Sequence, residues 1–144
     1  MEHNSHLQIK PKSKTGIYHQ ITPASANWEY LNFEARLMAK GETWQHNTED
    51  NEMVIVLLSG NFKVESDKGN WETKNGRKDV FSGVAHTLYL SRNSTFTLTA
   101  MSDTLDIGYG WCKVEEDFPA KFVTPEDGCK RDCFGTHTGG DLFL

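Results

Sequence analysis

Two histidines and one glutamate in the middle of the sequence are residues of the kind that hold metal ions. His46, Thr48 and Glu52 are all even-numbered positions, and His86 follows on a later predicted strand. Imidazole nitrogens and a carboxylate oxygen suit Zn, Fe, Mn or Ni, and three such ligands leave positions open for water or substrate. His46, Glu52 and His86 are therefore candidate metal ligands. Thr48 would leave one coordination position of the metal open to water or substrate.

These residues must be positioned by strands, because short alternating segments separated by turn residues dominate the chain. Phe33, Ala35, Leu37 and Ala39 alternate with polar or long side chains and predict one buried face. The segment 53–58 is apolar throughout and predicts a strand buried on both faces. The predicted strands are 33–39, 53–58, 62–65, one from Trp71, 86–90, 95–101 and 105–111.

About seven short strands at this spacing favour an antiparallel sandwich or barrel. The 144 residues suit one domain. We expect a barrel over about 31–112, an N-terminal arm or strand over 1–30 and a C-terminal strap over 113–144. The one helical signal is a short turn from Pro23 to Asn27, capped by Thr22.

Charge and hydropathy limit the partners of the protein. The formal net charge is -5 with a pI near 5.6, and the basic residues are scattered, which disfavours nucleic acid and anionic membranes. The apolar run Met53–Leu58 is far shorter than the roughly 20 residues that span a bilayer. The first residues lack the pattern of a secretory signal. We expect a cytoplasmic protein.

Three cysteines make an odd count in a domain that needs no disulfide scaffold, which favours free thiols. Cys129, Cys133 and His137 recur every four residues and would share a helix face, although the surrounding glycines disfavour that helix. The apolar end Asp141–Leu144 requires a groove, a partner or a continuation.

Aromatic residues at strand spacing offer a second kind of site. Such side chains, together with the hydroxyl of Thr48, could surround a small ligand inside a barrel. The aromatic residues could equally form the core. The candidates are Trp44, Trp71, Tyr89, Tyr109 and Trp111.

Two segments resemble the motifs of the cupin family, which forms a double-stranded β-helix or jelly-roll barrel. Gly41–Gly60 resembles the first motif, which in intact form supplies two histidines and a glutamate. Phe81–His86 resembles the second motif, which supplies the last histidine and normally begins with proline. The resemblance implies a metal centre in the barrel.

The first motif can be aligned in two frames that differ by one residue, and such a slip turns side chains to the opposite face. Alignment from His46 gives His46, Thr48 and Glu52. Alignment from the glycines, which span 20 residues, gives Asn47, Glu49 and Met53, which would not hold a metal. We favour a barrel that has kept its shape and lost its metal.

A narrower resemblance covers residues 7–128. The order of motifs is similar to the N-terminal half of 5-deoxy-glucuronate isomerase, the two-cupin enzyme family of myo-inositol catabolism. The segments that carry it are Phe33–Leu37, Glu52–Gly60, Gly76–Gly83, Leu88–Leu90 and Pro119–Gly128.

In that family the metal ligands lie in the C-terminal barrel, so no residue here corresponds to a catalytic ligand. The resemblance implies either a fragment or a single cupin descended from such a half. Three functions follow: an aldose–ketose isomerase of a sugar acid, with His46, Glu52 and His86 as its only candidate groups; a barrel that binds a small sugar or organic acid; or a structural homodimer joined at a sheet edge.

Overall fold

The computed structural model describes residues 15–128, which form ten strands and two short helices. In chain order the elements are β1 (Gly16–Ile21), α1 (Pro23–Ala26), β2 (Asn32–Ala39), β3 (Thr43–Asn47), β4 (Asn51–Ser59), β5 (Phe62–Ser66), β6 (Gly69–Glu72), β7 (Thr87–Leu90), β8 (Thr95–Ala100), β9 (Thr104–Lys113), β10 (Lys121–Val123) and α2 (Pro125–Gly128).

The strands form two antiparallel sheets. One has six strands in the order β1-β2-β9-β4-β7-β10, and the other has four in the order β3-β8-β5-β6. The predicted all-β double-sheet architecture is confirmed. Between the sheets lies an apolar core that includes Ile55, Leu57, Phe62, Leu98 and Ile107, each fully buried.

Strand β4 is buried on one face only, contrary to the prediction. Met53, Ile55 and Leu57 point into the core, whereas Val54 is 37 % exposed and Val56 is half-buried on the outer side of the six-stranded sheet. Because every residue from 53 to 58 is apolar, the sequence does not distinguish the inner face of this strand from its outer face.

Strand β2 faces the opposite way from the prediction. Its inner face carries Met38, which is in the core, together with Glu34 and Arg36, which border a cavity. The register agrees, because Glu34 pairs with Tyr109 and Arg36 with Ile107, both of which point inwards from β9. Phe33 lies on the outer face against Gly108 of β9.

The turn between β3 and β4 reverses the parity of the inward positions. Even-numbered residues of β3 point inwards, as Trp44 does, but odd-numbered residues of β4 do. Glu49 adopts a left-handed backbone with φ 51° at this turn. Equal parity across residues 46–52 therefore does not place side chains on one face.

Both ends of the described chain add strands to the six-stranded sheet. β1 pairs with β2 at one edge, and β10 pairs with β7 at the other. β1 lies within the range 1–30, where an N-terminal arm or strand was expected, whereas β10 and β3 were not predicted. The short helical turn is confirmed: Thr22 and Ser25 form a capping box at the start of α1.

No helix within residues 15–128 has the length and apolar character needed to cross a bilayer. Cys112 is half-buried and forms no disulfide in the described residues. The predicted cluster of Cys129, Cys133 and His137, and the apolar end Asp141–Leu144, lie outside those residues.

Adjacent positions of β4 should differ sharply in their contribution to stability. Ile55→Ala removes fully buried methyl groups and leaves a cavity, so it should lower the free energy of unfolding by about 2–5 kcal/mol. Val54→Ala, on the outer face, should cost less than about 1 kcal/mol. Urea denaturation of the two variants measures this, and equal losses would contradict the assigned faces.

Candidate functional site

A cavity of about 550 Å³ opens at one end of the barrel, between β2, β3, β9 and the start of β4. Its wall combines aromatic rings with charged and amide side chains, a mixture typical of small-molecule sites. The amide groups are those of Gln45, Asn47 and Asn51, on and after β3.

Three aromatic side chains form one wall of the cavity. The rings of Trp44 and Tyr109 lie 4.4 Å apart, and Trp111 stacks on Tyr109 at 6.0 Å. Trp44 also meets Phe96 of the core edge-on at 5.1 Å. Trp44 and Tyr109 are buried and Trp111 is half-buried, so the wall is anchored in the core and ends in an accessible ring.

The only described cation on this wall is Arg36. Its guanidinium carbon lies 4.5 Å from the centre of the Trp44 ring, a cation–π contact. Its Nε donates to the Tyr109 hydroxyl at 3.2 Å, and that hydroxyl donates to Glu34 Oε2 at 2.5 Å. Burial and the bond to Glu34 raise the pKa of Tyr109 well above its usual value, so the hydroxyl keeps its proton.

His46 borders the cavity and is exposed at its mouth, near the rings of Trp44 and Phe96. Partial desolvation lowers the pKa of its imidazole, although Glu49 and Glu34 oppose the shift. The imidazole is therefore largely neutral at pH 7 and able to accept or donate one hydrogen bond.

Glu52 lies on the outer face of the six-stranded sheet, away from His46. Its carboxylate accepts a hydrogen bond from the Tyr89 hydroxyl at 2.9 Å and contacts the Cys112 thiol at 3.5 Å. Burial and this carboxylate raise the pKa of Tyr89 to about 12 and also raise the pKa of the Cys112 thiol. Glu52 and Tyr89 thus belong to a separate surface groove that includes Phe118 and Lys121.

His86 points into the core at the other end of the barrel. It is 3 % exposed and stacks on Phe122 of β10 at 5.7 Å. The Leu57 backbone N–H of β4 donates to the His86 carbonyl, whereas Met53 of the same strand borders the cavity. Four residues of strand separate these positions by about 13 Å.

The three predicted metal ligands are therefore not brought together. His46 is at the cavity mouth, Glu52 is on the outer face and His86 is at the far end of the core. Within residues 15–128, no group of three or more His, Cys, Asp or Glu side chains is placed to hold an ion. The donor set does not fit a cupin metal, because the parity change at the β3–β4 turn sends Glu52 outwards.

The three residues of the alternative frame lie together at the cavity. Asn47, Glu49 and Met53 all border the cavity, but the Asn47 amide donates to Thr95 and accepts from the Glu49 backbone. Thr48 is buried, donates to the Ser91 carbonyl at 2.8 Å and accepts from the Ser94 backbone at 2.9 Å. It fixes the turn rather than offering a free hydroxyl.

Of the six residues predicted to line a pocket, the structure brings four to this cavity: Trp44, Thr48, Tyr109 and Trp111. Tyr89 is not among them, because residue 89 points outwards from β7. Trp71 lies on β6 against the core. Glu34 and Arg36 were missed, although an arginine and a glutamate two apart on an alternating strand could have been read as a cavity face.

Comparison with known proteins assigns the chain to a family. The model of the KduI/IolB family matches residues 6–138. The chain belongs to the KduI/IolB family. It is 31% identical over 109 residues to 5-deoxy-glucuronate isomerase from Geobacillus kaustophilus, covering 75% of this chain and 39% of that protein.

The fold resemblance agrees. An IolB-like protein from Salmonella typhimurium superposes with a TM-score of 0.76 at 22% identity, over 83% of this chain and 45% of that one. A cupin protein from Bacteroides fragilis gives 0.55 at 16% identity, over 76% and 88%. The predicted cupin fold and family resemblance are confirmed. The chain spans less than half the length of the curated relatives it matches.

Stability should depend on pH through His86. Burial lowers the pKa of its imidazole, while Glu126 and a hydrogen bond to the Lys74 carbonyl oppose the shift and Arg77 reinforces it. The unfolded chain takes up the proton near its ordinary pKa of about 6.5, and the folded chain does so only at lower pH. Stability should therefore fall as pH drops through about 6.5 and level off below the folded pKa.

The matched variants are His86→Gln and His46→Gln, compared by urea denaturation between about pH 7.5 and 5. The first should flatten the pH dependence of the free energy of unfolding. The second should change it less, because His46 is exposed at the cavity mouth. An unaltered pH dependence in His86→Gln would contradict this assignment.

Proposed function

We propose that this KduI/IolB-family barrel binds a small hydroxylated molecule, a sugar or organic acid, in the cavity between β2, β3 and β9. The observation that carries the proposal is the aromatic wall of Trp44, Tyr109 and Trp111 beside a guanidinium. Aromatic faces cover the C–H surfaces of such ligands, and charged and amide groups take their hydroxyls.

The polar rim supports a hydroxylated ligand rather than an apolar one. Gln45, Asn51 and Glu49 surround the opening and supply both hydrogen-bond donors and acceptors. His46 adds a neutral imidazole. An apolar ligand would cover the free polar atoms of these groups without bonding to them, which costs free energy for each atom removed from water.

Isomerase activity is a separate question. The named relatives are 5-deoxy-glucuronate isomerases more than twice as long as the part this chain covers. Aldose–ketose isomerisation needs a base that moves a proton between two adjacent carbons and a group that stabilises the enediolate oxygens. The candidates His46, Glu52 and His86 lie apart, so we propose binding rather than isomerisation as the role of this barrel alone.

Two further expectations stay predictions. A cytoplasmic location is the first. A homodimer would pair one exposed sheet edge, such as β6 or β3, with its copy.

Ligand binding should depend on the accessible end of the aromatic wall. We expect a panel of hexoses, hexitols and hexonic and uronic acids to contain ligands that alter tryptophan fluorescence saturably. Trp111→Leu should weaken their binding by up to about ten-fold, because an aromatic contact is worth about 0.5–1.5 kcal/mol.

The control is Trp28→Leu, which alters an exposed tryptophan outside the cavity. It should leave the affinities unchanged by isothermal titration calorimetry. Failure of the whole panel to bind at 50–100 mM, on the order of sugar concentrations that saturate weak sites, would overturn the proposed function.

The chain by itself should show little or no 5-deoxy-glucuronate isomerase activity, with or without added Zn, Fe, Mn or Ni. A coupled assay of aldose-to-ketose conversion measures this. Turnover of about 1–1,000 per second, the ordinary enzyme range, would refute the separation of binding from catalysis.

A further inference from the structure

A chain of hydrogen bonds runs from the edge strand β1 into the cavity and ends on Arg36. Gln20 Nε2 donates to Glu34 Oε1 at 2.9 Å, and the Tyr109 hydroxyl donates to Glu34 Oε2. The same hydroxyl accepts from Arg36 Nε at 3.2 Å. The Tyr109 hydroxyl thus has one donor and one acceptor, and both Glu34 oxygens are occupied.

The Arg36 guanidinium is fixed in place by a hydrogen bond and an aromatic ring, but no carboxylate in the described residues forms an ion pair with it. Within residues 15–128 the structure gives Arg36 its hydrogen bond through Nε and no ion pair with a carboxylate. One face of the group lies over Trp44, which limits its rotation. Its two amino groups remain for a ligand, and their planar fork matches the two oxygens of a carboxylate.

The charge around this group limits what it can accept. Glu34 and Glu49 both border the cavity, and both act electrostatically on His46. His46 has a lowered pKa and adds no positive charge at pH 7. The cavity therefore offers one cation and two carboxylates. One carboxylate of a ligand can pair with Arg36, whereas a second negative charge on the ligand would be repelled by Glu34 and Glu49.

We propose that Arg36 is the specificity-determining residue of the cavity and that Tyr109 positions it, so that the site selects ligands with one carboxylate over neutral polyols and dicarboxylates. This inference rests on the proposed ligand-binding function. It assigns to Tyr109 the task of fixing the plane of the guanidinium, and to Glu34 and Glu49 the rejection of a second anionic group.

Three six-carbon probes test the inference because they differ in the number of carboxylates: sorbitol has none, gluconate one and glucarate two. Isothermal titration calorimetry at pH 7.5 and low salt should give gluconate an affinity at least about ten-fold above the other two. Arg36→Gln should abolish this preference, because it should weaken gluconate by at least about ten-fold more than it weakens sorbitol.

Further variants separate the assigned roles. Tyr109→Phe removes the hydroxyl but keeps the ring, and it should weaken gluconate by a factor about ten-fold larger than its effect on sorbitol. Gln20→Ala, on the exposed end of the hydrogen-bond chain, should act in the same direction by a smaller factor and without risk to the core. Glu49→Gln should improve glucarate relative to gluconate. Arg92→Gln, an arginine paired with Asp117 outside the cavity, is the control and should change nothing.

The outcomes distinguish this inference from the proposed function. Equal affinity for the three probes, or an unchanged preference in Arg36→Gln, overturns the role of Arg36 while leaving a binding cavity. Equal losses for sorbitol and gluconate in both Tyr109→Phe and Gln20→Ala overturn the positioning role. Failure of all three probes and of the wider sugar panel to bind overturns the function itself.

Discussion

The register of strand β9 is the constraint on which the rest of the structure depends. β9 lies in the middle of the six-stranded sheet and pairs with β2 on one side and β4 on the other. Its inward residues select the inward residues of both neighbours: Tyr109 lies opposite Glu34 and Ile55. A slip of one residue would turn Tyr109 outwards and dismantle core and cavity together.

The outer face of β9 supports this register. A side chain at Gly108 would have its Cβ 3.1 Å from the Phe33 ring, so the glycine makes room for an aromatic side chain of β2. Phe33 is then on the outer side, and the polar neighbours Glu34 and Arg36 are left to face inwards. The charged cavity wall is thus a consequence of how the opposite face of β2 packs.

That wall is tolerated because its buried polar groups are paired. The Tyr109 side chain is 1 % exposed, and its hydroxyl would be costly without partners. Arg36 and Glu34 satisfy it from the same strand, because residues two apart on a strand face the same side. The same hydrogen bonds leave the amino groups of the Arg36 guanidinium for a ligand. The contacts that stabilise the wall therefore also position the group that would bind the ligand.

The sequence predicted the strands whose alternation is clear and the cupin fold, because period and turn residues are local signals. Four of the six residues that it indicated as pocket residues border the cavity. It placed β1 only within an N-terminal arm or strand over 1–30, and it did not predict β3 or β10, which are short and pair with strands distant in sequence. The metal set of His46, Glu52 and His86 followed from the two cupin-like motifs and from the equal parity of His46 and Glu52, and that parity is lost across a turn with a left-handed Glu49. Arg36 and Glu34 were assigned to the solvent side because polar residues on an alternating strand normally face water, whereas here they face a cavity.

The central claim is that ligand binding occurs on the aromatic wall beside Arg36, and the four tryptophans of the chain provide an internal test. Trp44 and Trp111 border the cavity, whereas Trp28 and Trp71 lie elsewhere. The most direct measurement is an NMR titration of the indole N–H resonances with gluconate. The account predicts saturable shifts for Trp44 and Trp111 with little change in the other two, and shifts confined to Trp28 or Trp71 would contradict it.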